Sequence, residues 1–145
     1  MLQDIRAAGF RVFLVPLAAA VGTLALTALV GLFLPMGAKD CAAAAAGFGW
    51  YSLAPTLLAP YSLSVSATAF LSNIMHELFS IVAVPAVAQR IGYIEAVALP
   101  GATAMDTVLP VVVSATSDRM ALYSFGAVLS LSVPFLVPAI IALPF

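Results

Sequence analysis

Long apolar runs restrict the fold of this chain more than any other feature of its sequence. Of its 145 residues, 64% are hydrophobic and only 8% are charged, whereas a water-soluble domain carries far more charge on its surface. Most of the charged residues stand near the ends of runs that are long enough to cross the roughly 30 Å hydrocarbon core of a lipid bilayer. Because a chain in lipid must satisfy its backbone hydrogen bonds internally, the sequence predicts an all-α integral membrane protein, built as a polytopic helix bundle.

The sequence divides into five apolar segments, which we assign to a single transmembrane domain over residues 1–145. Three of them are predicted membrane helices, over residues 10–34, 63–89 and 120–145. The first run is longer than the apolar core of a signal peptide, so we expect it to be a retained helix. The other two, 42–59 and 95–116, are short and interrupted by glycine and proline, and for these we predict broken or re-entrant segments.

The basic residues favour re-entry of both broken segments. If the N-terminus is cytoplasmic and each broken segment leaves the membrane on the side by which it enters, four of the five basic residues face the cytoplasm and only Lys39 lies outside. If both segments cross fully, Arg90 joins Lys39 outside. The positive-inside rule therefore prefers the re-entrant arrangement.

The helix over 63–89 carries the most informative polar residues. Asn73, His76 and Glu77 share one face of it with Ser66 and Ser80. A carboxylate in the middle of an apolar helix costs about 2.5–3.5 kcal/mol to insert, so Glu77 indicates a site for a cation or a proton, or else a hydrogen bond to a neighbouring helix. His76 either takes part in proton binding with Glu77 or only packs against neighbouring helices. Asn73 either completes the polar site or ties two helices together.

The second broken segment carries another carboxylate, Asp106, between Pro100–Gly101 and Pro110. Backbone carbonyls freed by the break would let Asp106 bind a cation or an ammonium group; alternatively, Asp106 caps a half-helix. In the first broken segment, Trp50 and Tyr51 are either residues of the interfacial aromatic belt or walls of a cavity.

Several other functions are excluded or disfavoured by the sequence. His76–Glu77 resembles the start of a zinc-binding HExxH motif, but His76 is the only histidine, so we expect no metal and no cofactor. No serine stands in a nucleophile motif, and we do not expect an enzyme. The sequence has no basic patch, so a nucleic acid is not an expected partner. Cys41 is the only cysteine and can form no disulfide within the chain.

Three motifs in order resemble the lysine exporter LysO family of bacterial inner-membrane proteins. They are GFGWYS at 47–52, the Asn73-x-x-His76-Glu77 sequence with a later proline, and GATAMDTVLP at 101–110. The resemblance covers about residues 40–145 and corresponds to the C-terminal half of a family member. It implies export of L-lysine and related compounds in exchange for protons.

The resemblance also implies roles for individual residues. Glu77 and Asp106 match the acidic residues of two family motifs, where they would hold the amino groups of the substrate or a coupling proton. Broken-helix ends near 47–49 and Gly101 would meet the substrate carboxylate. His76 stands where the family has arginine, which removes a fixed positive charge and leaves the substrate open. The complete set of predicted substrate-binding or proton-binding residues is Asn73, His76, Glu77, Gly101, Thr103, Asp106, Trp50, Tyr51 and Ser52.

The sequence and the resemblance together lead to one expected function. We expect a multi-pass subunit in the bacterial inner membrane that belongs to a secondary transporter for L-lysine or a similar cationic amino acid, coupled to protons. Its expected partners are the lipid bilayer and either a second short chain, equivalent to the N-terminal half of the family, or further copies of itself. The alternatives are a transporter of a different small solute and a non-transporting assembly or regulatory subunit.

Overall fold

The computed structural model describes residues 11–118 and 127–144, and this part of the chain consists of helices and turns without a β-strand. The predicted all-α class is therefore confirmed. Arg6, Arg119 and the beginning of the predicted helix over 120–145 lie outside the described residues. In chain order the helices are α1 (Arg11–Gly31), α2 (Gly37–Ala45), α3 (Leu53–Leu58), α4 (Leu63–Arg90), α5 (Tyr93–Ala98), a 3-10 helix (Gly101–Met105), α6 (Leu109–Ala115) and α7 (Ala127–Ala142).

Two of these helices, α1 and α4, are long and apolar enough to cross a membrane, judged by length and composition. Ser62 precedes α4 and its hydroxyl accepts a hydrogen bond from the Val65 N–H at 3.4 Å, which satisfies one free donor of the first turn. Arg90 stands in the last turn, where a positive charge complements the helix dipole. Pro85 lies inside the helix, which continues to Arg90.

The first broken segment contains α2 and α3, with a non-helical stretch between them at 46–52. Phe48 and Gly49 turn the chain with positive φ angles of 46° and 90°. A positive φ is costly for a residue that has a Cβ atom, so Phe48 keeps it only because its surroundings hold it there. Phe48 is buried in the main core with Ala44, Leu58 and other residues.

The second broken segment contains α5, the 3-10 helix and α6. Gly101 begins the 3-10 helix with a φ of 64°. A Cβ atom at this position would lie 2.5 Å from the Phe48 carbonyl oxygen, so a glycine is required by the contact as well as by the backbone angle.

The two broken segments meet at their tips beside the middle of α4; the first tip comprises residues 46–52 and the second tip residues 99–108. The Ala102 N–H donates to the Phe48 carbonyl at 2.9 Å and joins one tip to the other. The ends of the first segment lie together, since the Tyr61 hydroxyl donates to Asp40 Oδ1 at 2.9 Å. The second segment packs against the C-terminal half of α4, where Val84 forms a small core with Val97, Val108 and Val112.

The remaining helices pack around this arrangement. Val133 and Val137 of α7 are fully buried in the main core, and the Lys39 Nζ atom donates to the carbonyl of Leu143, just after α7, at 2.7 Å. By contrast, α1 contributes Ala20 to the main core and leaves most of its large side chains exposed, for example Leu17 and Leu29. Exposed apolar faces of this kind are expected of helices that contact lipid or other helices.

Candidate functional site

Asn73 is the residue that fixes the first tip to α4. It is buried, and its Oδ1 atom accepts the Gly49 N–H at 2.7 Å. Its Nδ2 group donates to the carbonyls of Ala44 at 3.0 Å and of Ala69 at 2.7 Å. A Cβ atom at Gly47 would come within 2.7 Å of the Asn73 amide, so the tip can approach α4 only because a glycine stands there. Asn73 therefore positions the broken segment and has no free donor for a substrate.

His76 connects α4 to the second tip. Its Nε2 atom lies 3.1 Å from the carbonyl of Leu99, which precedes the Pro100–Gly101 break. Since a carbonyl can only accept a hydrogen bond, Nε2 carries the hydrogen, and in the neutral ring Nδ1 remains an acceptor. The break thus supplies the carbonyl that orients the imidazole, as expected where backbone is released from helical bonding.

Glu77 is buried on the same face of α4, with an exposed fraction of 9%. The Thr107 hydroxyl, from the turn before α6, donates to its Oε1 atom. One turn further along α4, the buried Ser80 donates to the carbonyl of His76 at 2.8 Å instead of to the carboxylate. Glu77 therefore meets the second broken segment through a neutral donor, and no arginine or lysine side chain forms an ion pair with it in the described part of the chain.

Asp106 and Thr103 differ in their surroundings although both belong to the second tip. Thr103 is buried, and its hydroxyl donates to the Pro100 carbonyl at 3.0 Å, which stabilises the turn. Asp106 is exposed and follows the 3-10 helix. The helix after it begins at Leu109 with Val108 as its N-cap and without a side-chain cap, so capping is not the role of Asp106 in this conformation.

The three predicted residues of the GFGWYS motif follow the turn at Phe48 and Gly49. The Tyr51 ring contacts the Phe70 ring edge to face at 6.4 Å between centroids. Trp50 is half-buried against the main core, and Ser52 is exposed. The structure thus gives Tyr51 and Trp50 packing contacts, and it brings Asn73, His76, Glu77, Gly101 and Thr103 together.

Sequence reasoning missed two members of the site. Thr107 is the donor to Glu77, and in the sequence only its position beside Asp106 indicated that it belongs to the site. For the Leu99 carbonyl, only the Pro100–Gly101 pair that follows it in the sequence indicated that it would be released from helical hydrogen bonding. The backbone donors expected near Gly49 and Gly101 are occupied, because the Gly49 N–H binds Asn73 and the Ala102 N–H binds Phe48. In this conformation neither of these two groups is available to a substrate carboxylate.

The chemistry of the site is that of an acceptor for protons and cations. Its ionisable groups are one buried carboxylate, one exposed carboxylate and one imidazole; Glu95 of α5 lines a cavity beside His76, while Lys39 and Arg90 stand near helix ends. A carboxylate with one neutral donor keeps lone pairs that can bind an ammonium group or a proton. The described residues contain no group of three histidine, cysteine or acidic side chains that could hold a metal ion.

The fold and the site together define a helical membrane protein whose polar groups meet at the tips of two broken segments, in the manner of secondary transporters. A comparison with protein families identifies the lysine exporter LysO family, whose model matches residues 1–141, and the chain belongs to this family.

One relative defines the extent of the similarity. It is "Lysine exporter LysO" of Escherichia coli (strain K12), which is 38% identical over 98 residues. The matched region covers 66% of this chain and 32% of that protein, so the match spans about a third of the relative's length. No solved structure matches the chain.

Proposed function

We propose that this chain is a subunit of a secondary transporter that exports L-lysine or a related cationic amino acid across the bacterial inner membrane in exchange for protons. The observation that carries the proposal is Glu77, a buried carboxylate on α4 whose hydrogen-bond donor, Thr107, belongs to the tip of a broken segment. Membership of the LysO family and the name of the relative indicate the substrate class.

Glu77 provides a simple basis for the exchange. A buried carboxylate is stabilised when a proton or a cation neutralises it, and one carboxylate cannot hold both at once. Binding of a substrate ammonium group therefore releases the proton, and protonation releases the substrate. Asp106 is exposed at the same tip and binds the second amino group of the substrate. His76 stays neutral in this scheme and orients the second tip through Leu99.

The conformational change that transport requires would alter the contacts between the second tip and α4. The second tip is held by Thr107 on Glu77 and by Leu99 on His76. A proton or an ammonium group on the free lone pairs of Glu77 reduces the negative charge of the carboxylate and so weakens the bond from Thr107. Occupation of the site therefore changes how firmly the tip is held. Alternating access follows if the tip moves between two positions that differ in this bond.

We further propose that both broken segments are re-entrant. The 2.9 Å hydrogen bond between Tyr61 and Asp40 supports this for the first, because the ends of a segment that crossed a roughly 30 Å core could not touch. The Lys39 contact to Leu143 supports a common side for the ends of α7 and of α1. For the second segment, Val97 before its tip and Val112 after it both pack on Val84, near the same end of α4.

The transporting assembly contains further helices besides those of this chain, from a second short chain equivalent to the N-terminal half of the family or from another copy. The support is that the match to the Escherichia coli exporter covers 32% of that protein. Exposed apolar side chains on one side of α4, among them Leu71, Met75 and Val82, offer a surface for such helices as well as for lipid.

Transport by purified protein tests the proposal. Proteoliposomes containing the chain, alone and with its candidate partner, are loaded with labelled lysine, and efflux is measured with and without a pH gradient. We expect lysine efflux that a proton gradient directed into the vesicle accelerates. Efflux of other small solutes but not of cationic amino acids would indicate a different cargo. A reconstituted assembly that moves no solute would contradict transport and favour a role in membrane assembly.

A further inference from the structure

Two of the cavities that lie along α1 meet at the residue pair Thr23 and His76. The larger has a volume of about 410 Å³ and extends along α1 from Thr23 to Val30. The smaller has a volume of about 300 Å³ and extends from Thr23 to Val15. Of the described residues, Thr23 and His76 are the two that line both cavities. The cavities are therefore neighbours separated at this pair.

Together the two cavities extend across most of the hydrocarbon core of a membrane. Val15 and Val30 both lie within α1, and fifteen residues of α-helix rise by about 22 Å. That is most of the roughly 30 Å hydrocarbon core. Thr23 lies near the middle of this stretch, and His76 lies near the middle of α4, where the two tips meet. The junction of the cavities thus coincides with the depth of the site.

Three of the four hydroxyl groups that line the larger cavity are arranged as acceptors. Thr27, Thr68 and Ser72 line it from α1 and α4. Each donates its hydroxyl hydrogen to a carbonyl three or four residues earlier in its own helix, at 2.7, 3.0 and 3.2 Å respectively. With its hydrogen used in this way, each oxygen presents only lone pairs to the cavity. These three oxygens can accept hydrogen bonds from an ammonium group, and they offer no donor to an anion.

We propose that the two cavities form one path along α1 for a cation that carries ammonium groups, and that Thr23 and His76 form the constriction between its halves. This inference rests on the proposed function and adds the route and the residues that close it. The imidazole is held at the constriction by its bond to Leu99 of the second tip. A movement of the tip that releases this bond frees the ring to rotate and connects the two cavities.

Thiol reactivity in membranes tests the path without any assumption about transport. In a Cys41→Ser background, since Cys41 itself lines the larger cavity, single cysteines are placed in two adjacent pairs. Ala19 lines the smaller cavity and Ser72 the larger, whereas their neighbours Ala18 and Leu71 line neither. All four positions are exposed, so the pairs differ in cavity lining and not in exposure.

The probe for these cysteines is a methanethiosulfonate that carries a trimethylammonium group, because it is a cation and reacts with the thiolate that forms only in hydrated surroundings. We expect Ala19→Cys and Ser72→Cys to react at least tenfold faster than Ala18→Cys and Leu71→Cys. Equal rates within each pair would overturn the path.

Transport after modification tests the constriction. Thr23→Cys and Ala18→Cys are each compared with their own rate of lysine transport before the reagent is added, so the substitution itself does not enter the comparison. We expect modification to lower the lysine transport rate of Thr23→Cys at least tenfold and to change that of Ala18→Cys by less than twofold. Retained transport by modified Thr23→Cys, an unreactive Thr23→Cys, or an equal loss for Ala18→Cys would overturn the constriction.

Absence of lysine transport by the unsubstituted assembly would contradict the proposed function alone, since the reactivity pattern would still decide the path.

Discussion

Asn73 is the single side chain that joins the first broken segment to α4. Its amide uses one acceptor and two donors on Gly49, Ala44 and Ala69. Asn73→Leu removes these bonds and leaves the buried Gly49 N–H and Ala44 carbonyl unsatisfied, at a cost of about 1–3 kcal/mol for each group. We expect a marked fall in the unfolding temperature of the protein in detergent. Ser114→Ala, which removes one exposed bond within α6, is the matched control and should shift it little. Equal stability of both variants would contradict this role of Asn73.

Glu77 differs from Asn73 because its expected role lies in binding. Gln has nearly the same shape and can still accept a hydrogen bond from Thr107, but it cannot be ionised. We therefore expect Glu77→Gln to insert and fold normally while lysine efflux falls at least tenfold and no longer responds to a pH gradient. Efflux from proteoliposomes measures both effects. Asp40→Asn, which changes a carboxylate at a helix end, is the control. Full activity of Glu77→Gln in correctly inserted protein would exclude Glu77 from coupling.

The polar face of α4 was predictable from sequence because helical spacing alone brings Asn73, His76 and Glu77 to one side. Their partners were not predictable, because Thr107 and the Leu99 carbonyl reach α4 only through the tertiary path of the second segment. The spacing also could not decide which polar residues are structural. Asn73 has all its donors occupied by backbone, whereas Glu77 keeps free acceptor capacity, and that difference follows from contacts between segments.

At the scale of elements, the junction of the two tips depends on glycine at particular positions. Gly101→Ala would place a Cβ atom 2.5 Å from the Phe48 carbonyl oxygen in a backbone with a φ of 64°. We expect this variant to separate the tips and to lose both lysine efflux and thermal stability. Gly22→Ala is the matched control, because a Cβ atom there meets nothing within 4 Å, and alanine favours a helix interior by about 1 kcal/mol over glycine. Normal efflux and stability in Gly101→Ala would contradict the tight junction.

The sequence located both breaks, because glycine and proline interrupt helices for local reasons. It did not reveal that the tips contact each other, since the Ala102–Phe48 hydrogen bond joins backbone groups that leave no trace in side-chain pattern. The left-handed conformation of Phe48 was equally hidden, because only the following Gly49 indicated a turn. Local chemistry therefore places the interruptions, and packing decides where they lie in space.

At the scale of the whole molecule, the contacts at the helix ends bear on how the chain lies in the membrane. Lys39 and Asp40 stand near Tyr61, with the Lys39 ammonium 5.8 Å from the centre of its ring. These contacts place the start of α4 beside the segment that follows α1, whereas Arg90 lies at the opposite end of α4. In the proposed re-entrant arrangement four of the five basic residues, Arg90 among them, share one side and only Lys39 lies on the other, so the positive-inside rule predicts that the Arg90 end faces the cytoplasm.

Side-specific labelling of single cysteines tests this arrangement in a Cys41→Ser background. Pro35 and Pro60 lie in exposed turns near the two ends of the first broken segment, and Gln89 and Ser117 lie near the two ends of the second. If both segments re-enter, Pro35→Cys and Pro60→Cys react only with reagent added outside the cell. Gln89→Cys and Ser117→Cys then react only once the cytoplasmic side is opened, because an impermeant charged reagent does not cross lipid. A segment that crosses fully would give opposite sidedness within its own pair, so each pair decides one segment independently of the other.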